Sequence, residues 1–343
     1  MYFINGRFLT QQTTGVQRFA TEITLHLLKT NRSYKVIVPT GTNISIGLPK
    51  DQLIEAGPTN PYTWEQFFLP KYLKKLNSPL LLNFTGLGPV FYKNKIVTIH
   101  DLSFWEHPEW FSNRYYWFYK LLTPVTVRNS QKILTVSECS KNTISEILNI
   151  QKEKIEVIYN AVSPYQKKGY PKSKFILTVG SIDPRKNINR LIKAFHKWNN
   201  PDFKLILVGG KQQSFQRSNI QSSENVILTG YISDKELFEY YEKAEIFIYP
   251  SLYEGFGIPA LEAMSVETPV IVSDIPVLKE SCGDAAYYID PYSEDSMINA
   301  LDRLSKDDAL KNHLCSKGLE NIRKFSWVAS SQKVNQTVEE LQK

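Results

Sequence analysis

The sequence predicts an α/β protein of two doubly wound, Rossmann-like domains arranged in series and facing a central cleft. Three observations predict it. Short β-branched and aromatic runs alternate with polar, helix-length segments, the whole pattern restarts once midway, and 343 residues exceed what one ordinary core accommodates. The runs are apolar at nearly every position, as parallel strands covered by helices on both faces are.

The first series comprises "YFI" at 2–4, "KVIVP" at 35–39, "LLLNF" at 80–84, "KIVTIHD" at 95–101, "KILTVS" at 132–137 and "IEVIYN" at 155–160. A Pro-, Gly- and Lys-rich stretch, "VSPYQKKGYPKSK" at 162–174, then reads as an interdomain linker. The second series comprises "FILTVG" at 175–180, "KLILVGG" at 204–210, "NVILTGY" at 225–231, "IFIYPS" at 246–251, "PVIVSD" at 269–274 and "AAYYID" at 285–290. The expected domains are residues 1–165 and 166–325. Residues 326–343 form a closing helix, with Trp327, Val334, Val338 and Leu341 at helical intervals. Its periodicity is compatible with packing on either domain. In doubly wound sheets ligands meet the carboxyl ends of the strands, so the loops after each strand are where chemistry is sought.

Composition narrows the function classes. Hydrophobic residues make up 42% and charged residues 22%, a globular balance that excludes a disordered chain. No apolar run approaches the ~20 residues that span a bilayer, and the start lacks the features of a secretory signal. Cys139, Cys282 and Cys315 are few and widely spaced, which fits a reducing compartment and excludes a thiolate zinc cluster. A cytoplasmic protein is expected. The net charge of +7 resides in the first half: residues 1–165 hold 18 Lys and Arg against 11 Asp and Glu, and residues 166–343 hold 23 against 23. A basic half serves solubility, or attracts an anionic membrane surface or substrate.

In "VGSIDPRKNINRLIKAF" at 179–195, Arg185 and Lys186 stand beside a helix start marked by Ile188, Leu191, Ile192 and Phe195. Cations there oppose the helix dipole unless an anion is bound, so the pair points to phosphate; the plainer reading is pairing with surface carboxylates. In "YPSLYEGFGIPALEAMSVETPVIVSD" at 249–274, Glu254 and Glu262 are separated by seven residues. Pro259 suits the first turn of a helix, which puts Glu262 within that first turn or so and Glu254 in the loop before it. Gly255 and Gly257 let the backbone approach a ligand, and a carboxylate suits vicinal hydroxyls of a sugar. Cations for a diphosphate and carboxylates for hydroxyls describe a nucleotide-sugar site. For Glu262 alone, a favourable charge at a helix start is the plainer reading.

In the first half, Gly15 within "TTGVQRFATEI" at 13–23 begins a loop-to-helix turn, and "TIHDLSFWEHPEWF" at 98–111 places His100 and Asp101 at the carboxyl end of a buried strand. A turn glycine and a structural histidine are the alternatives. The aromatic and cationic "WFSNRYYWFYKLL" at 110–122 suits a membrane interface or a lipid-linked acceptor, or else ordinary helix core.

Glu254 and Glu262 within "EGFGIPALEAM", together with "GSIDPRKNINRLIKAF", "TVSECSK" and "VIYNAV", resemble the motifs of retaining glycosyltransferases of family 4, the glycosyl transferases group 1, over nearly the whole chain. The resemblance implies the GT-B architecture, with an acceptor-binding first domain and a donor-binding second domain. It implies that Arg185 and Lys186 bind the donor diphosphate, that Glu262 holds the ribose, and that Glu254 holds the donor sugar with the backbone of Phe256, Gly257 and Ile258. Tyr231 would meet the base. Gly15 would face the donor phosphate, although many relatives have two glycines in that loop. His100 would touch the transferred sugar, and Asp101 would orient it or the acceptor.

The implied reaction is hexosyl transfer with retention, from a GDP-mannose-like, UDP- or dTDP-sugar to a glycan or lipid-linked saccharide. O-antigen, capsule or another bacterial surface polysaccharide is the expected product, made on the cytoplasmic face of the inner membrane. No Asp-x-Asp triplet occurs, so neither metal nor other cofactor is expected, and nucleic acid is not an expected partner. A dinucleotide oxidoreductase is disfavoured because "GLGPVF" at 86–91 fails the G-x-G-x-x-G pattern. An epimerase or phosphorylase of the same fold, or an inactive sugar-nucleotide-binding scaffold, are the remaining alternatives.

Overall fold

The computed structural model describes residues 1–44, 46–163, 165–210 and 223–342. Two compact units emerge. The first comprises Met1–Leu102, Trp117–Asn160 and Ser326–Lys343, and the second Ser103–Tyr116 and Ala161–Phe325. The chain therefore divides after Asn160 rather than after residue 165, and residues 103–116 belong with the second unit.

The first unit holds a parallel sheet of β1 (Tyr2–Asn5), β2 (Tyr34–Val38), β3 (Leu53–Glu55), β4 (Leu81–Asn83), β5 (Lys95–Thr98), β6 (Lys132–Thr135) and β7 (Ile155–Val157). Their order is β3-β2-β1-β4-β5-β6-β7. β3 has no counterpart in the sequence reading, because two half-covered apolar residues and an exposed Glu55 leave no apolar run to detect. The helix Gly15–Thr30 buries Phe19, Ile23 and Leu27 on the stripe expected of helical periodicity.

The closing helix, Trp327–Glu340, packs in this first unit. Trp327 meets Phe19 at 6.2 Å between ring centroids, Tyr34 donates to Asn335 Oδ1 at 2.8 Å, and Ser330 donates to the Tyr159 carbonyl at 2.7 Å. Trp327, Val334 and Val338 are buried, and each such side chain contributes about 1.5–3 kcal/mol of transfer free energy. Leu341 follows the helix and is only partly covered.

The second unit holds β8 (Ser173–Val179), β9 (Lys204–Val208), β10 (Val226–Gly230), β11 (Ala244–Tyr249), β12 (Val270–Ser273) and β13 (Tyr287–Ile289). They are parallel in the order β10-β9-β8-β11-β12-β13. Its core gathers Ile176, Leu205, Ile246 and Ile271 from the strands with Leu191, Phe195, Leu301 and Leu304 from the covering helices.

The Pro-, Gly- and Lys-rich stretch after residue 161 is fastened rather than loose; Pro164 within it lies outside the described residues. Buried Glu242 accepts backbone N–H groups from Gly169 at 2.6 Å, Tyr170 at 3.1 Å and Lys168 at 3.2 Å, while Tyr165 stacks on Phe238. Turn-forming composition signals a break in secondary structure, and a carboxylate seventy residues away decides whether that break is mobile. Among the described residues no helix is long and apolar enough to cross a membrane.

Candidate active site

Strand order marks a candidate site in the second unit. From β8 the chain winds outward through β9 and β10, then returns to the other side of β8 and winds through β11, β12 and β13. The connections leaving β8 and β11 therefore diverge, which makes the carboxyl ends of these two strands the switch point where a doubly wound sheet receives its ligand.

The loop after β8 carries Asp183 and a single 3₁₀ turn, Pro184–Lys186, before the helix Ile188–Trp198. Asn187 joins them in the left-handed region at φ 58°, and its amide donates to the carbonyls of Pro250 at 3.0 Å and Pro291 at 2.7 Å. The loop after β11 is tied to the same turn by the Leu252 N–H, which donates to the Arg185 carbonyl at 2.8 Å. It ends at Gly257, whose φ of 100° would strain any other residue and whose Cβ would lie 2.5 Å from Leu278 Cδ2. The helix Ile258–Ser265 starts there with Pro259 in its first turn and no side-chain cap, which leaves amide groups available to a ligand.

The two loops bring Lys186 and Glu254 together. Lys186 Nζ lies 2.5 Å from Glu254 Oε1 and donates to the Tyr249 hydroxyl at 2.5 Å. Both charged side chains are over nine-tenths buried, so this is not pairing with a surface carboxylate. Gly180 leaves the room for Lys186, since a Cβ there would meet its Cε at 3.2 Å. Burial pushes the Glu254 carboxyl up, but the charges of Lys186 and Arg185 and the lysine hydrogen bond together hold it below its ordinary value. Burial lowers Lys186, opposed chiefly by Glu254, and burial raises the Tyr249 hydroxyl well above its usual range. Lys186 and Glu254 thus have the geometry of a buried ion pair.

Arg185, mostly covered, has its Nε 3.8 Å from Asp183 Oδ1, and Asp183 accepts from Ser181 Oγ at 2.5 Å. Glu262 is the fifth residue of its helix, and no acid occupies the first turn. It thus lies just past the first turn, close to the position expected. It is 5% exposed, and its Oε2 accepts from the Tyr241 hydroxyl at 3.0 Å. The Phe256 ring is core, edge-on to Phe325 at 5.2 Å, so only its backbone is available to a ligand. Ile258 is the first helical residue, and Tyr231 follows β10 with 60% exposure.

In the first unit, Gly15 is the exposed first residue of its helix, and the amide before it is engaged in a reciprocal Thr14–Gln17 cap. β5 ends at Thr98, so His100 and Asp101 lie in the loop beyond it. His100 Nε2 is 3.0 Å from the Phe84 carbonyl, and the ring meets Phe19 edge-on at 5.1 Å. Burial lowers its pKa, which the Phe84 hydrogen bond and Asp101 only partly offset. The carbonyl fixes the proton on Nε2, and Nδ1 is left as the acceptor.

Tyr249, Asn187 and Tyr241 were not among the expected residues. The two tyrosines sit inside an apolar strand and a helix, where a tyrosine reads as core, and Asn187 stands at a helix start, where an asparagine reads as a cap. Among the described residues, no group of three or more His, Cys, Asp or Glu could hold a metal ion.

Sequence profiles match both halves. The family described as "Glycosyltransferase Family 4" matches residues 13–166, and "Glycosyl transferases group 1" matches residues 163–321. An O-antigen chain mannosyltransferase, RfbU of Salmonella typhimurium, is 32% identical over 284 residues, covering 79% of each chain. The chain belongs to glycosyltransferase family 4.

O-antigen chain mannosyltransferase B of Escherichia coli is 29% identical to this glycosyltransferase over 266 residues, covering 70% of each. A solved structure of Anabaena HepE in complex with UDP-glucose superposes with a TM-score of 0.74 at 15% identity, covering 99% of both chains. The two parallel sheets are thus those of the GT-B fold, and the protein is an enzyme that transfers sugar.

Proposed function

We propose that this glycosyltransferase moves mannose, with retention, from a nucleoside-diphosphate sugar to a glycan or lipid-linked saccharide in bacterial O-antigen synthesis. The buried Lys186–Glu254 pair at the second unit's switch point carries the proposal, because it joins the cation a diphosphate needs to a carboxylate that sugar hydroxyls need. The similarity to two O-antigen chain mannosyltransferases supports the choice of sugar.

In this reading Arg185 and Lys186 neutralise the diphosphate as the bond from the anomeric carbon to its oxygen breaks. The acceptor hydroxyl attacks the same face, and the departing phosphate oxygen takes its proton. Glu254 orients the sugar with the Gly257 and Ile258 amides, Glu262 the ribose, and Tyr231 the base. Gly15 faces the donor phosphate, His100 Nδ1 accepts from a hydroxyl of the transferred sugar, and Asp101 orients that sugar or the acceptor. Two fixed cations make a metal unnecessary, and no other cofactor enters.

Anomeric NMR of the product in the presence of EDTA tests this, after thermal-shift screening has found the donor. An α-linked product from an α-linked donor, formed at an undiminished rate, is expected. An inverted product or loss of activity on chelation sinks the mechanism.

We place the reaction at the cytoplasmic membrane surface. The helix Asn113–Arg128 exposes Trp117, Phe118 and Leu121 by 55%, 52% and 64%, and Lys120 lies 5.4 Å from the Trp117 ring centre. Aromatic rings with adjacent cations suit an anionic interface. Co-sedimentation with phosphatidylglycerol vesicles should fall several-fold in a Trp117→Ala/Phe118→Ala variant; undiminished binding would rule out this face.

A further inference from the structure

Tyr249 is the last residue of β11, at the second unit's switch point, and its side chain completes the buried Lys186–Glu254 pair. It is 2% exposed, with the Phe247 ring stacked at 6.0 Å between centroids. Lys186 Nζ donates to its hydroxyl at 2.5 Å and stands 4.7 Å from its ring centre. A buried tyrosine hydroxyl needs only some partner, which a backbone carbonyl supplies; this one is set against the cation of the candidate site.

An ammonium carries three N–H groups, spaced evenly about its bond to Cε. In Lys186 one goes to Glu254 Oε1 and one to the Tyr249 hydroxyl, and among the described residues no third acceptor lies within hydrogen-bond distance. Lys186 is only 7% exposed, and a desolvated charged donor left unused is costly unless a ligand takes it. Holding two of the three fixes the rotation about the Cε–Nζ bond and so aims the third. Glu254 alone does not do this, because a carboxylate has two oxygens and lets the ammonium turn two N–H groups onto it. Burial raises the hydroxyl well above its usual range, so it stays neutral and takes one N–H without cancelling the lysine's charge.

We infer that Tyr249 is a positioning residue for the transfer, aiming the third N–H of Lys186 at the oxygen that leaves the sugar. Two tasks on one lysine are thereby separated: Glu254 supplies the counter-charge that burial requires, and Tyr249 supplies the direction. The inference rests on the transfer reading in taking the donor diphosphate as the ligand of Lys186.

Steady-state kinetics on the full chain test it, with GDP-mannose as varied donor and a membrane extract of lipid-linked saccharides as acceptor. The thermal shift induced by GDP-mannose is measured in parallel. Tyr249→Phe removes one oxygen and keeps the ring and its packing. It should lower kcat about 10- to 100-fold, as misdirected catalytic groups do, with donor KM and thermal shift unchanged. In the Lys186→Met background the same substitution should change kcat less than about twofold, because the residue acts through a lysine that is gone. A purely structural tyrosine would lower stability in both backgrounds and leave kcat of the folded enzyme alone. Unchanged kcat in Tyr249→Phe, an equal loss in both backgrounds, or a lost thermal shift in Tyr249→Phe would each overturn the inference. Undiminished turnover by Lys186→Met would overturn the diphosphate reading and the inference with it; a loss in Lys186→Met with none in Tyr249→Phe would overturn the inference alone.

Discussion

Replacing Lys186 with methionine should lower kcat roughly 100- to 1,000-fold and cost about 3–5 kcal/mol of stability. The first effect follows from losing a fixed cation where phosphate charge develops. The second follows from burial: without Lys186, Glu254 keeps only Arg185 nearby and stands desolvated beside Tyr249. The stability deficit should also depend on pH. In the native chain Glu254 lies below its ordinary value, so the unfolded chain binds more protons there. Its contribution is present above the unfolded value and is lost as pH falls through the folded one. In Lys186→Met burial dominates and raises the carboxyl, so the variant regains stability by protonating Glu254 as pH falls. Denaturant unfolding at pH 5 and pH 7.5 should show a smaller deficit at pH 5. Equal deficits would mean that Glu254 is not the group left uncompensated.

Glu254→Gln and Glu262→Gln should fail in different ways. Glu254 touches the lysine that meets the leaving group, so its amide should reduce kcat about 100-fold with little change in donor KM. Glu262 accepts from the Tyr241 hydroxyl, a different partner from that of Glu254. Its amide retains an oxygen for the tyrosine but loses one charged acceptor for the ribose diol. A hydrogen bond to a charged group is worth about 1.5–3 kcal/mol, so donor KM should rise roughly 10- to 100-fold at nearly constant kcat. Steady-state kinetics with varied donor separate the two; matching defects would dissolve the division of roles.

Much of the fold could be read in the chain because its signals are local. Among the described residues, twelve of the thirteen strands coincide with apolar runs, since a parallel strand buried on both faces must be apolar throughout. β3 escaped because its two apolar residues are half-covered and Glu55 is exposed, so no apolar run marks it, whereas β7 and β13, edge strands of the same length, lie in such runs. Arg185, Lys186, Glu254 and Glu262 stood out for the same local reason: charge and glycine next to a predicted strand end are costly unless something binds. Tyr249 did not stand out, since the last residue of an apolar strand reads as core.

The sequence by itself determined the two parallel α/β series, the loops that carry charge and the family to which the chain belongs. Only the tertiary structure decided which charges meet. Lys186 is paired with Glu254 across sixty-eight positions and Arg7 with Glu65 across fifty-eight. It also decided that the closing helix packs in the first unit and that Glu242 fastens the stretch after residue 161. The physical reason is that periodicity fixes what a segment buries. Partners at long separation are fixed by strand order, which sets the switch points, and by the requirement that a desolvated charge find its counter-charge.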